Sequence, residues 1–161
     1  MKYCSTLITV TDMERSKAFY HDLLGLNFEV DFGANVTLTG GIALQTADTW
    51  TGLIQKPSQD LTFGHNTGEL YFETRDFDGF LRRLETRPDV TLVHPVVEQP
   101  WGQRAIRFYD PDRHMIEVGE DLVQVVGRFR GQGMTPTEIA ARMDVPVDFV
   151  AHCLGLLDGT P

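Results

Sequence analysis

Apolar and polar positions change period several times along this chain. "KYCSTLITV" is β-rich and partly alternating, the signature of a strand. In "TDMERSKAFYHDLLGL", Met13, Phe19, Tyr20, Leu23 and Leu24 recur near helical spacing; Thr11 or Asp12 can cap the start, and Gly25 ends it. Three short strand patterns follow, "NFEVDFG", "NVTLTG" and "GIALQT", split by glycine and asparagine. The order is β-α-β-β-β.

The same order then recurs. "ELYFETR" reads as a strand, "DFDGFLRRLETR" as a helix starting at Asp76, and "VTLVHPVVE", "GQRAIRFYD" and "HMIEVGE" as three more strands. Laying Asp12 on Asp76 shifts the chain by 64 residues (76 − 12) and superposes the helix of one half on that of the other. A repeat of this length implies two modules of one supersecondary unit, about 1–47 and 68–122. The intervening 48–67, rich in Gly, Pro, Thr and polar residues, reads as a linker. Residues 123–161 break the pattern and read as a helical extension with two helix starts. Thr135-Pro136-Thr137-Glu138 is a capping box with proline at the first helical position, and Pro146 opens the second helix.

Composition narrows the class. With 161 residues, 42% of them apolar and 23% charged, the chain is long enough for one soluble domain with an appendage and needs no metal or disulfide to fold. No apolar run can span a bilayer, and Asp12 and Glu14 come too early for a signal-peptide core. Cys4 and Cys153 lie far apart and fit reduced thiols, so the expected location is cytoplasmic. A net charge of −9 opposes general binding to nucleic acid or anionic membranes. "TEIAARMDVPVDFV" is similar to a helix-turn-helix of regulators, but its second helix carries no Lys or Arg and has Asp148 and Asp158 nearby. We read it as a packing or dimer-stabilising extension, with a ligand-responsive regulator as the least favoured function.

Two segments, "VTDMERSKAFYHDLLGL" and "PWGQRAIRFYDPDRHMIEV", resemble the motifs D-x-x-x-S-x-x-F-Y-x-x-x-L-G and D-P-D-G-x-x-I-E-[LV] of the vicinal oxygen chelate superfamily. That superfamily includes glyoxalase I, bleomycin- and fosfomycin-resistance proteins and extradiol dioxygenases. Arg113 stands where the motif has glycine. The resemblance covers about residues 1–120 and implies an α+β fold, in which two tandem βαβββ modules form an open cup-shaped mixed sheet. A homodimer is also implied. The family's ligand positions, one on the first and one on the last strand of each module, fall on Ser5, Gln45 (with Ala43 as the alternative register), Glu69 and Glu117.

Strand parity points the same way without the family. Glu69, Tyr71 and Glu73 share one face of their strand and Leu70 and Phe72 the other, while Glu117 points away from Ile116 and Val118. A glutamate alternating with apolar residues also fits an ordinary solvent-facing strand. Two carboxylates brought together need a cation, a proton or an arginine between them.

Two chemistries therefore stay open. Gln45, Glu69 and Glu117 form an all-oxygen set that suits one divalent ion, Mg, Mn or Ca rather than Zn or Fe, in an isomerase or lyase of the glyoxalase type. The histidines common on the first strands of metal-dependent members are missing at Ser5 and Glu69. Alternatively, no metal binds, and Glu69 or Glu117 acts as acid or base or holds a cationic or aromatic compound in a binding or resistance protein. Ser5, Tyr71, Trp101, Arg104 and Arg107 are the candidate ligand-binding residues. Arg104 and Arg107 lie on opposite faces, and one of them can pair with the site carboxylates. His114, of opposite parity to Glu117, is expected in a turn or facing outward.

Overall fold

The computed structural model describes residues 1–159 and divides into two compact units. The first comprises Met1–Gly68 with Tyr109–Met115, the second Glu69–Phe108 with the chain from Ile116 onward. In unit 1, β1 (Thr6–Val10), α1 (Met13–Asp22), β2 (Phe28–Asp31), β3 (Asn35–Leu38) and β4 (Ile42–Thr46) form an open mixed sheet of order β1-β4-β3-β2. β1 runs parallel to β4, and the other pairs are antiparallel. The first strand begins at Thr6, so Ser5 lies just ahead of it, and Lys2 to Cys4 are exposed coil. Of the two possible caps of α1, Asp12 is the one used. Its carboxylate accepts from the Arg15 amide at 3.0 Å, and just past the helix end Gly25, whose φ of +73° suits glycine, donates its amide back to the His21 carbonyl.

The stretch expected to be a linker contains a helix, α2 (Ala47–Ile54). Its apolar residues Trp50, Leu53 and Ile54 are spaced three and four apart, and Thr46 stands in extended backbone at its start. α2 packs on β1 and β4. A short 3-10 turn follows at Ser58–Asp60.

The D-P-D turn joins unit 1 through its two buried aspartates. Asp110 accepts from the Tyr20 hydroxyl at 2.9 Å and from the amides of Asp112 and His114, closing its own turn. Asp112 accepts from the amide and hydroxyl of Thr11 and from the Arg15 guanidinium at 3.1 Å. The two motifs are thus one hydrogen-bonded assembly. Arg113 has a φ of +68°, which explains why the motif prefers glycine there. Its guanidinium lies 4.5 Å from the Tyr109 ring centroid, and this stacking offsets part of the backbone strain. His114 lies in that turn and does not face outward: its Nε2 lies 2.7 Å from the Thr9 carbonyl oxygen, which makes Nε2 the protonated nitrogen, and its ring meets Phe63 edge-on.

Unit 2 repeats the arrangement. β5 (Glu69–Thr74), α3 (Phe77–Glu85), β6 (Leu92–Glu98), β7 (Arg104–Tyr109) and β8 (Met115–Glu120) give a mixed sheet, sheet 2, of order β5-β8-β7-β6, strand for strand that of unit 1. Asp76 caps α3 as Asp12 caps α1, accepting from the Gly79 amide at 2.9 Å. One face of this sheet carries Ile106, Phe108, Ile116 and Val118 and is covered by α3; Phe80 stacks on Phe108 with ring centroids 6.0 Å apart.

Three helices follow rather than the two expected: α4 (Leu122–Gly131), α5 (Pro136–Met143) and α6 (Val147–Leu157). "DLVQVVGRFRG" conceals the first because its β-branched residues read as strand and Gly127 as a breaker. Asp121 caps it by accepting from the amides of Val123 and Gln124. The capping box at Thr135 and Glu138 forms as expected, with Pro136 at the first helical position. The helices share a core of Val125, Val126, Phe129, Ile139, Ala140, Met143, Val150 and Cys153. They also hold the β6–β7 turn. Arg142 bonds the Pro100 carbonyl and Glu98, Arg128 bonds the Gly102 carbonyl, and a Cβ at Gly102 would lie 2.2 Å from Phe129.

Glu120 fixes α3 and α4 to the sheet. Its side chain is 6% exposed and is gripped by Arg104 at 3.1 Å and Arg128 at 3.0 Å, while Arg104 also reaches Asp78 on α3 at 2.8 Å. Burial pushes this carboxyl up, but the guanidiniums of Arg104 and Arg128 outweigh it and hold it below its ordinary value. Its contribution is therefore present above the unfolded carboxyl range, near 4.5, and is lost as pH falls through the lower folded value. Glu120→Ala should cost about 3 kcal/mol in urea unfolding at neutral pH. The gap from the parent chain should shrink in acid, and an undiminished gap there would contradict this assignment.

Candidate functional site

Period-two alternation gives sheet 2 a second face, away from α3 and α4, with a different population. β5 contributes Glu69, Tyr71 and Glu73, β8 contributes Glu117 and Gly119, and β7 contributes Ala105 and Arg107. In the β6–β7 register His94 stands opposite Arg107, so the two share a face.

Arg107 is the centre. Its Nε donates to Glu69 Oε2 at 2.7 Å and its Nη2 to Glu69 Oε1 at 3.3 Å, a bidentate fork, and the same Nη2 also contacts Glu117 Oε2. The two carboxylates meet on one guanidinium but differ in burial: the Glu117 side chain is 6% exposed and that of Glu69 31%. Their acidities diverge accordingly. The Arg107 hydrogen bonds hold Glu69 below the usual carboxylate range. Burial, reinforced by the neighbouring Glu69, pushes Glu117 up, against the opposing charges of Arg107 and His94. Arg107 is held even more firmly cationic than a free arginine.

Beside this pair lies a second constellation. Gln103, only 3% exposed, donates through Nε2 to the Tyr71 hydroxyl and to the Glu120 carbonyl, both at 2.8 Å, and accepts from Trp101 Nε1 at 3.1 Å. Tyr71 in turn donates to Glu73 at 2.6 Å. Burial and that bond raise the Tyr71 phenol to about 12, so it stays protonated at neutral pH. Position 119 must be small, because a Cβ there would lie 2.9 Å from Gln103 Nε2 and 3.2 Å from the Tyr71 hydroxyl. Tyr71 and Trp101 nonetheless remain 49% and 39% exposed, which leaves aromatic surface beside the carboxylates.

Of the residues singled out from the sequence, Glu69, Glu117, Arg107 and Tyr71 share this face, and Trp101 is tied to it through Gln103. Arg104 is not there, since it is committed to Glu120 and Asp78 on the helix-covered face. Ser5 and Gln45 belong to unit 1. Gln45 is 5% exposed and its carboxamide is spent: Oε1 accepts from Asn35, and Nε2 donates to the Ala34 carbonyl and the Thr49 hydroxyl of α2. Ala43, the alternative register, has no side-chain donor or acceptor. The sequence assigned no site role to His94 or Gln103. Alternation could not flag His94, because bulges break the register of β6 on either side of it.

The donor set does not fit a divalent ion. Both carboxylates already share a cation, and the Gln45 oxygen is bonded within unit 1. Among the described residues no cluster of three or more His, Cys, Asp or Glu side chains is placed to hold a metal.

Side-chain carboxyl titration followed by carbon NMR should separate the pair, with Glu69 protonating below and Glu117 above the ordinary range of about 4.5. For Glu117 the sign is that of a group whose neutral form is favoured by folding. Its contribution is present in acid and declines as pH rises through the folded value. Coincident midpoints would refute the asymmetry.

Comparison with known proteins agrees with this architecture. Residues 3–123 match the model of the glyoxalase-like domain family. A protein of unknown function from Agrobacterium tumefaciens str. C58 is 40% identical, with a TM-score of 0.68 over 75% of this chain and 94% of that one. A glyoxalase/bleomycin resistance protein/dioxygenase family enzyme from Burkholderia phytofirmans PsJN shares 17% identity, with a TM-score of 0.64 over 74% of this chain and 98% of that one. A lactoylglutathione lyase from Agrobacterium tumefaciens shares 21% identity, with a TM-score of 0.56 over 76% and 95%. The last two likenesses are of fold. No curated protein matches. Family model, sheet order and the two interlocked motifs agree: the chain belongs to the glyoxalase-like domain family of the glyoxalase/bleomycin resistance/dioxygenase (vicinal oxygen chelate) superfamily.

Proposed function

We propose that the chain binds a small polar organic compound on the Glu69–Arg107–Glu117 face of sheet 2 and moves a proton on it, as an isomerase or lyase acting beside a carbonyl. The observation that carries this reading is the unequal burial of two carboxylates on one guanidinium. Paired acids in different environments divide the labour of acid and base chemistry. Glu117, shielded from water, is the group that takes the proton from carbon and returns it to the neighbouring carbon. Glu69 keeps Arg107 in place, and Tyr71 and Trp101 supply a wall for the organic part of the ligand.

A second reading, binding without turnover, is favoured by the exposed Tyr71 and Trp101 beside Glu73, a surface suited to a cationic or aromatic compound. Self-association belongs to either reading. The outer strands β2 and β6 expose Phe28, Val30, Leu92, Val93, Val96 and Val97, apolar surface that a second copy can cover.

A panel of α-hydroxy ketones and α-hydroxy aldehydes in heavy water, followed by proton NMR, separates the two readings. Proton transfer appears as loss of the C–H signal beside the carbonyl. Glu117→Gln should slow that exchange by about a hundredfold or more, and Glu69→Gln by less. Line broadening without exchange would favour the binding reading, and exchange insensitive to Glu117→Gln would sink the catalytic one. Light scattering should give a mass of 2 × 18.1 kDa; a mass of 18.1 kDa would remove the dimer.

A further inference from the structure

We infer that Arg107 is a built-in cation, seated where the family resemblance would place a divalent metal, and that it presents Nη1 to a carbonyl or carboxylate oxygen of the ligand. This rests on the proposed ligand face of sheet 2 but can be tested apart from it.

A guanidinium offers five N–H donors in a rigid plane. The edge formed by Nε and Nη2 is taken up by Glu69, and Nη2 also serves Glu117. Among the described residues Nη1 makes no hydrogen bond to the protein. The one buried side-chain polar atom there without a partner is Ser16 Oγ, so Nη1 is reached by solvent. Its two donors point away from the Glu69 edge, as planarity of the group requires. An oxygen acceptor from a ligand is the partner this geometry leaves room for, and the side chain is 26% exposed, enough to be approached.

The electrostatics favour the arginine over an exchangeable ion. Two carboxylates converging at the junction of β5, β7 and β8 repel unless a positive charge lies between them. A metal would supply that charge only by completing its shell with water, because the other oxygens of the face, Tyr71 and Glu73, are already bonded to each other. Arg107 supplies it covalently and from one strand, held by three contacts. It also supplies a directional donor, so a carbonyl bound at Nη1 is polarised beside Glu117 without a Lewis acid. The ligand class follows: a compound bearing a carbonyl or carboxylate oxygen, rather than a polyhydroxylated or purely cationic one.

Manganese is the probe, read by electron paramagnetic resonance of the free ion and by calorimetry on the full chain. The parent chain should leave Mn2+ free. Arg107→Ala, folded by circular dichroism, should gain a site for a single ion, which adding Glu69→Gln removes. Arg107→Gln provides the same readout with more of the side chain retained. Binding of Mn2+ by the parent chain that is lost in Glu69→Gln or Glu117→Gln would overturn the inference. A folded Arg107→Ala or Arg107→Gln that still ignores Mn2+ would overturn it equally. Should neither variant fold, the parent chain decides alone: Mn2+ left free supports the inference, and Mn2+ bound at these glutamates ends it. These readouts do not involve turnover, so failure of the proton-exchange assay would leave the cation seat standing, and the reverse also holds.

Discussion

A carboxylate removed from water must be paired or hydrogen-bonded, and this constraint organises the structure. Four carboxylates are buried among the described residues: Asp110, Asp112, Glu117 and Glu120. Each has a named partner. Asp110 takes the Tyr20 hydroxyl and two amides of its own turn, Asp112 takes Thr11 and Arg15, Glu117 takes Arg107, and Glu120 takes Arg104 and Arg128. The first two lock the late D-P-D turn to the first helix, and Glu120 fixes helices to a sheet. Of the two in unit 2, Glu117 is the one that faces away from α3 and α4, with solvent-reaching neighbours. Its pairing with Arg107 holds no helix in place.

Sheet 2 separates these roles by parity alone. Arg104 and Glu120 point to one face, Arg107 and Glu117 to the other, although each pair of like residues is only three apart in sequence. An odd spacing on a strand reverses the face. The same residue types therefore become a structural clamp on the covered side and a polar cluster on the other. Gln103 sits where the β6–β7 turn meets the sheet and binds to both: its amide touches the Glu120 backbone and the Tyr71 hydroxyl together. The C-terminal helices matter to the site through this turn, since Arg128, Arg142 and Phe129 fix its backbone around Gly102.

The duplication is exact in topology and unequal in chemistry. Both units have one strand order, and both first helices are capped by the matching aspartate, Asp12 or Asp76. At equivalent positions, however, unit 1 has Ser5 and unit 2 has Glu69. The last strand of unit 1 buries Gln45 beneath α2, where the last strand of unit 2 presents Glu117 to arginine. One copy has been filled with a helix, and the other carries the charged cluster.

The fold was legible because its determinants are local and repeated. Helix caps, glycine at turns and alternating strands each act over a few residues, and a shift of 64 (76 − 12) duplicates them. Where local signals mislead, packing decided the outcome: α4 buries Val125, Val126 and Phe129 in the core of the C-terminal helices, and α2 rests on β1 and β4 with Trp50 and Ile54 half-buried. The acidic pair, and its need for a cation, a proton or an arginine, were also within reach of the sequence, since parity assigns a face to each strand residue. Which arginine serves which glutamate, that Gln45 is consumed within its own unit, and that His94 joins the polar face were not. Those outcomes depend on strand pairing and register between segments distant in the chain, and only the assembled sheet brings such residues to within hydrogen-bonding distance.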